Sequence, residues 1–411
     1  MHQTMFIGDD VALDVHDGGH PVSIVTFESR NKDFPAGAAS EFGPGFGRGR
    51  FAPLGMNELL IRHNRNHWYQ TAEIEQVAEL VVAATQGTRV LTYGSSMGAY
   101  AAVNFAHLVD ADQFVAISPL FDVAPGNVLD ERRWAEDWPH TSFDYNLIVS
   151  GAGSESRGYV FYGEHTADRA HAEKIAGHTR ATLVPLPFGG HPAGFYLNRT
   201  YGIKRLIAEI AADSFEEPSF RSVLAETTSE THYPYEREAK RLAEAGDVLG
   251  AIAQLDVAVE KSPRLARLHI ARGNHLLSTQ SLDEAEQAFA AAISNDPQAA
   301  EGHVRLSYVH AARRDFDAAV RSTTRAIELE PGRPELHLRR GEWLLANGDR
   351  TSALEEMERA TVLRPDFTRA HDRIAVVRAR STLAHRARRV LGAIRARVVR
   401  YGRSIRRNRG R

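Results

Sequence analysis

Between residues 11 and 212 the apolar positions follow two alternating rhythms. The short runs 11–15, 22–27, 58–62, 90–93, 114–117, 159–162 and 182–186 are rich in β-branched and aromatic residues. Several are apolar throughout, as strands buried on both faces are. Between them, 71–84, 98–109, 170–176 and 200–211 place apolar residues at helical spacing. This alternation predicts a mostly parallel sheet covered by helices. Segment 34–51 follows neither rhythm. It holds Gly43, Gly45, Gly47 and Gly49, matches no phosphate-binding fingerprint, and reads as a mobile loop, either an active-site flap or plain surface.

Residues 213–234, with Pro218, Pro234 and several Ser and Thr, read as a linker. Beyond it the pattern changes. Pro263, Pro297, Pro331 and Pro365 recur every 34 residues, in phase with Ala251, Ala285, Ala319 and Ala353 and with Ala258, Ala292, Ala326 and Ala360. Small residues let two helices of a unit approach closely, and a proline ends each unit because it cannot continue a helix. Over 235–368 this resembles the tetratricopeptide-repeat family, with Gly273 and Gly341 at the small position of the first helix and Phe289 at a large position of the second. Ser307 and Thr323 depart from that pattern in the third unit. The resemblance implies an all-α solenoid that binds a protein partner.

Chemistry concentrates at Tyr93-Gly94-Ser95-Ser96-Met97-Gly98-Ala99, where an apolar strand runs through Gly-x-Ser-x-Gly into an alanine-rich helix. Gly94 and Gly98 flank Ser96, not Ser95. So tight a turn needs glycine on either side of a serine nucleophile, and the helix opening behind it offers N–H groups to a developing oxyanion. Met97 N–H is the natural first donor, and Glu28 or Ser29, after an earlier strand, supplies the second. The plain alternative is a strand-to-helix turn without chemistry.

A serine hydroxyl needs a base and an orienting acid, in the chain order Ser, acid, His. His191 follows the last strand in Phe188-Gly189-Gly190-His191-Pro192. Asp168 is the preferred acid, with helix capping as its structural alternative. Glu164 and Asp122 are the other candidates. His165, Asp168 and His171 lie at three-residue steps, but without His-Glu-x-x-His they predict no metal. The run Asn64-Arg65-Asn66-His67-Trp68-Tyr69-Gln70 is assigned either to a substrate pocket or to capping and core packing.

Composition adds constraints. There is no cysteine, which excludes disulfides, thiolate metal sites and a cysteine nucleophile and fits a reducing compartment. Residues 1–10 lack a secretion signal, and no apolar run approaches the ~20 residues a membrane-spanning helix needs. The expectation is therefore cytoplasmic. The net charge of −2 hides a tail, 378–411, with thirteen Arg and no Asp or Glu. Its apolar positions, from Leu383 through Leu391 and Val398 to Ile405, form a helical stripe. Residues 369–384 are expected to cap the repeats. The rest of the 369–411 segment suits an anionic membrane surface on the inner face or an acidic partner better than nucleic acid.

Residues 1–212 look like the α/β-hydrolase superfamily, on strand order, elbow, acid loop and terminal histidine. The resemblance implies acyl-enzyme chemistry on an acyl ester, a carbohydrate ester among the options, with Ser96, His191 and Asp168 as triad and no metal or organic cofactor. Two alternatives stand beside it: acyl transfer by the same triad, and a non-catalytic interaction scaffold.

Overall fold

The computed structural model describes residues 3–34, 37–43, 45 and 48–379, and the chain separates into two units, Met1–Pro234 and Tyr235–Arg411. The first unit is built on eight strands: β1 (Gln3–Ile7), β2 (Val11–His16), β3 (Val22–Phe27), β4 (Asn57–His63), β5 (Arg89–Ser95), β6 (Gln113–Ile117), β7 (Arg157–Gly163) and β8 (Arg180–Leu186). Their order across the sheet is β1-β2-β4-β3-β5-β6-β7-β8. β2 runs antiparallel to both neighbours, and every other pairing is parallel. All seven expected strands lie inside observed ones. β1 escaped notice because it is an exposed edge strand with no buried position to impose a pattern.

Helices α1 (Glu73–Ala84), α2 (Met97–Asn104), α3 (Asp168–His178), α4 (Gly194–Thr200), α5 (Ile203–Ala211) and α6 (Glu217–Thr228) cover the sheet. The alternation of strand side chains separates two cores. Ile24, Leu91, Val115 and Phe161 pack with Leu206, Ile207, Ile210 and Phe220 on one face. Val25, Leu59 and Ile61 pack with Ile74, Val77, Val81 and Tyr100 on the other. The single helix expected over 200–211 is two, parted at Gly202, whose φ of 91° is left-handed. The segment 213–234 corrects the linker reading. Pro218 lies in the first turn of α6, a position where proline starts helices, and Phe220 and Leu224 are buried in the sheet core.

The described part of the glycine-rich loop is held at the β2–β4 side. Arg62 donates to the Gly43 carbonyl at 2.9 Å, its guanidinium lies 5.5 Å from the Phe42 ring, and Arg48 approaches the buried Asp14 at 3.8 Å. Between β6 and β7 lies a long irregular segment, 118–156, whose regular structure is a short 3-10 turn at Ala135–His140.

The second unit is helical throughout its described residues: α7 (Tyr233–Glu244), which opens just before the boundary, then α8 (Val248–Lys261), α9 (Ala266–Ser278), α10 (Leu282–Asn295), α11 (Ala300–Ala312), α12 (Phe316–Leu329), α13 (Pro334–Ala346) and α14 (Arg350–Leu363). All eight in-phase alanines are buried. Asp247, Asp315 and Asp349 cap α8, α12 and α14 by accepting a backbone N–H three residues on. His269, His337 and His371 set Nε2 on the carbonyls of Pro263, Pro331 and Pro365 at 2.7, 3.2 and 2.8 Å.

A Cβ on Gly273 would press into the Phe289 ring, and one on Gly341 into Met357. In the third unit the equivalent positions hold Ser307 and Thr323, both fully buried, so the small residue has grown where the large one has shrunk. Residues 368–379 form a further helix, and Ala370, Ile374 and Val377 pack on Leu338, Met357 and Ala360. Of the 369–384 segment expected to cap the repeats, residues 380–384 lie outside the described ones. The tail with its apolar stripe lies outside the described residues. No described helix is long and apolar enough to cross a membrane.

Candidate active site

β5 ends at Ser95 and α2 begins at Met97, so Ser96 occupies the bend between them with φ 54° and ψ −118°. That backbone region is costly for a side-chain-bearing residue and persists only when surroundings over-determine it. Here Ser96 N–H donates to the Ile117 carbonyl at 2.9 Å, and its own carbonyl accepts from Tyr100 N–H at 2.9 Å. The glycines follow from crowding. A Cβ on Gly94 would collide with the Gly98 carbonyl, and one on Gly98 with the Phe27 carbonyl and, at 2.9 Å, with the Glu28 oxygen.

Ser96 Oγ lies 2.8 Å from His191 Nε2, and His191 Nδ1 lies 2.8 Å from Asp168 Oδ2. The three residues chosen from sequence are therefore joined in one chain of hydrogen bonds. Asp168 opens α3 yet does not cap it. Thr166 Oγ1 takes the Asp168 N–H at 3.2 Å, which leaves the carboxylate for His191. The other acid candidates are engaged elsewhere. Asp122 accepts from Ala124 N–H at 3.0 Å and Asn146 Nδ2 at 2.7 Å, while Glu164 is 41% exposed beside His165.

The second Asp168 oxygen accepts from Arg133 at 2.9 Å. Burial raises the Asp168 carboxyl, but the bonds and charges of His191 and Arg133 outweigh it and hold the group below the usual carboxylate range. Arg133 also pairs with Glu131 at 2.6 Å, and Glu131 meets His171 Nε2 at 3.0 Å. Burial opposes ionisation of Glu131, yet Arg133 and His171 bring its pKa down to about 2. His171 is thus a buried partner of Glu131, and among the described residues no group of three or more His, Asp or Glu could hold a metal ion.

The neighbouring Trp134 places its ring 5.5 Å from that of His191. Arg133 and Trp134 escaped the sequence reading. The available signal was length: a span of some forty residues between two strands, without a regular pattern, is uncommon in a compact domain unless it has a function.

The loop after β3 faces the elbow. Ser29 Oγ donates to the Ser95 carbonyl at 2.8 Å. Of the two candidates for a second oxyanion donor, Glu28 directs its N–H at the Ile61 carbonyl, 3.4 Å away. His63 sits between the carbonyls of Ser29 and Arg65, and burial lowers its pKa to about 4. Arg30 forks onto Asp137, which also accepts from the Trp68 indole at 2.9 Å. Most of the 64–70 run is therefore buried support for this loop, with Arg65 and Asn66 partly exposed. Trp68 and Tyr69 are wholly buried.

Comparison with known proteins bears on the second unit. The tetratricopeptide-repeat family model matches residues 237–300 and 304–366. No curated protein matches the chain. Among solved structures, a crystal structure of MamA is 20% identical, with 35% of this chain and 85% of that one covered and a TM-score of 0.32. TTC0263, a thermophilic tetratricopeptide-repeat protein of Thermus thermophilus, is 20% identical over 42% of this chain and 93% of its own, with a TM-score of 0.34. The first repeat domain of Spaghetti, solved with an HSP90 peptide, is 19% identical over 29% of this chain and 94% of its own, at 0.27. With the 34-residue period and the paired helices, the family match establishes that residues 237–366 are tetratricopeptide repeats.

Proposed function

We propose that the first unit is a serine acyl hydrolase of α/β-hydrolase type and that the repeats dock it to a protein partner. The observation carrying this reading is the continuous path from Ser96 Oγ through both nitrogens of His191 to Asp168, each step 2.8 Å. Strand order supports it too, with Ser96 after β5, Asp168 after β7 and His191 after β8.

Ser96 attacks the carbonyl of an acyl ester while His191 Nε2 takes its proton, and Asp168 steadies the imidazolium through Nδ1–H. The N–H groups of Met97 and Ser29 receive the oxyanion. Met97 opens α2, so no intrahelical carbonyl can use its N–H. His191 then returns the proton to the leaving alkoxide and activates water against the acyl-enzyme. No metal or organic cofactor takes part. A carbohydrate ester is one candidate substrate, and transfer to an acceptor replaces hydrolysis if water is excluded.

The competing reading, a scaffold whose sheet unit does no chemistry, draws on the family match, which falls on the repeats alone. Incubation of the full chain with a fluorophosphonate probe separates the two. Labelling of the wild type that disappears in Ser96→Ala supports the hydrolase, and an unlabelled wild type favours the scaffold.

A further inference from the structure

Trp68 and Tyr69 have φ values of 55° and 57°, consecutive left-handed conformations at bulky residues that are fully buried. Each is a conformation that costs a side-chain-bearing residue free energy relative to an ordinary backbone. Strain of this kind persists where the conformation delivers something. What this bend delivers is the Tyr69 hydroxyl, which lies 3.0 Å from the Glu28 carbonyl and 3.2 Å from the Ile61 carbonyl.

The Glu28 carbonyl and the Ser29 N–H belong to one peptide unit. In a planar trans peptide the two bonds point in opposite directions, so whatever grips the oxygen aims the hydrogen. Tyr69 grips that oxygen from the core side, where the Phe27 and Tyr69 rings meet edge to face at 5.3 Å. The Gly98 backbone closes on the same oxygen. The Ile61 carbonyl, the hydroxyl's second neighbour, is also the one that holds Glu28 N–H. From the other end, Ser29 Oγ is fastened to the Ser95 carbonyl, next to the nucleophile.

We propose that Tyr69 is a positioning residue that sets the orientation of the 28–29 peptide, and with it the aim of the Ser29 N–H at the oxyanion formed on Ser96. This rests on the serine-hydrolase reading and deepens it. Tyr69 touches neither substrate nor nucleophile. Its contribution appears when charge develops on the carbonyl oxygen, so it acts on the rate of acylation and leaves ground-state binding alone.

The test compares full-length wild type, Tyr69→Phe and Ser29→Pro. Three readouts are followed: the rate of fluorophosphonate labelling, kcat and KM for p-nitrophenyl acetate, and affinity for an alkyl trifluoromethyl ketone, whose serine adduct carries the oxyanion. Losing a donor of this type lowers kcat by about 10²–10³. Ser29→Pro, which has no N–H, is expected to reach that range. Tyr69→Phe, which keeps the ring and misaims the donor, is expected to lose about tenfold or more. KM should stay within about twofold, and ketone affinity should fall in step with kcat/KM.

A merely structural Tyr69 would lower the melting temperature and leave kcat of the folded enzyme and ketone affinity unchanged, which overturns the inference. Wild-type kinetics in Ser29→Pro overturn it as well, and this arm stands if Tyr69→Phe does not fold. Failure of the wild type to label is a different outcome, one that removes the hydrolase reading itself.

Discussion

In the repeat unit a helix meets its neighbours in sequence, and each buried alanine recurs 34 residues later in the same setting. In the sheet unit Ser96 meets His191 across 95 positions, and Trp68 meets Asp137 across 69. The first kind of order is assembled from local terms and tolerates change one unit at a time. The second gathers distant residues at one point, where a left-handed serine, two left-handed aromatics and buried charges occur together. Regularity marks where structure is repeated. At the elbow, departure from regularity marks where distant residues are brought together.

The sharpest break of that contrast is Asp168→Asn, which is expected to cut the rate of fluorophosphonate labelling by about 10⁴, because an amide no longer fixes the His191 tautomer. The repeats should keep their helical circular dichroism. Equal loss of both would refute the separation.

The next effect is in pH. Folded His63 takes up a proton only near pH 4, whereas the unfolded chain does so near 6.5. Its contribution is thus complete above 6.5 and is lost as pH falls through that window, by about 1.4 kcal/mol per unit at most. Denaturant midpoints of the sheet unit should fall from pH 6.5 to 4, and those of His63→Gln should fall less.

The smallest effect is expected in the repeats. Thr323→Phe alone should overpack the third unit by about 1–3 kcal/mol. Adding Ser307→Gly should recover most of it, as the Gly273 and Phe289 pairing does one unit earlier. Additive single effects in this double-mutant cycle would deny the size exchange.

Much of this architecture was legible because its causes are local. Seven strands, each with buried positions, announced themselves as apolar runs, and the repeats through phase. Gly94 and Gly98 could be read because a crowded bend admits no other residue. Capping and the choice of acid were harder: sequence could prefer Asp168 over Glu164 and Asp122, but its bond to His191 and the engagement of Asp122 with Asn146 depend on contacts between distant segments. α6 was hidden by Pro218, which breaks a helix at most positions and opens one here. Arg133 and Trp134 lie in a span without periodicity, and their value comes from partners brought near by the sheet. Sequence spacing carries no record of such meetings.

The long segment between β6 and β7 gives the site its character. Ser96 exposes 6% of its surface, Trp134 lies beside His191, and Arg133 is bonded to Asp168. The stretch of chain that packs beside His191 is thus also the one that fastens Asp168. Under the proposed hydrolase function, shortening or replacing this stretch would disturb both His191 and Asp168, so substrate range and rate would change together.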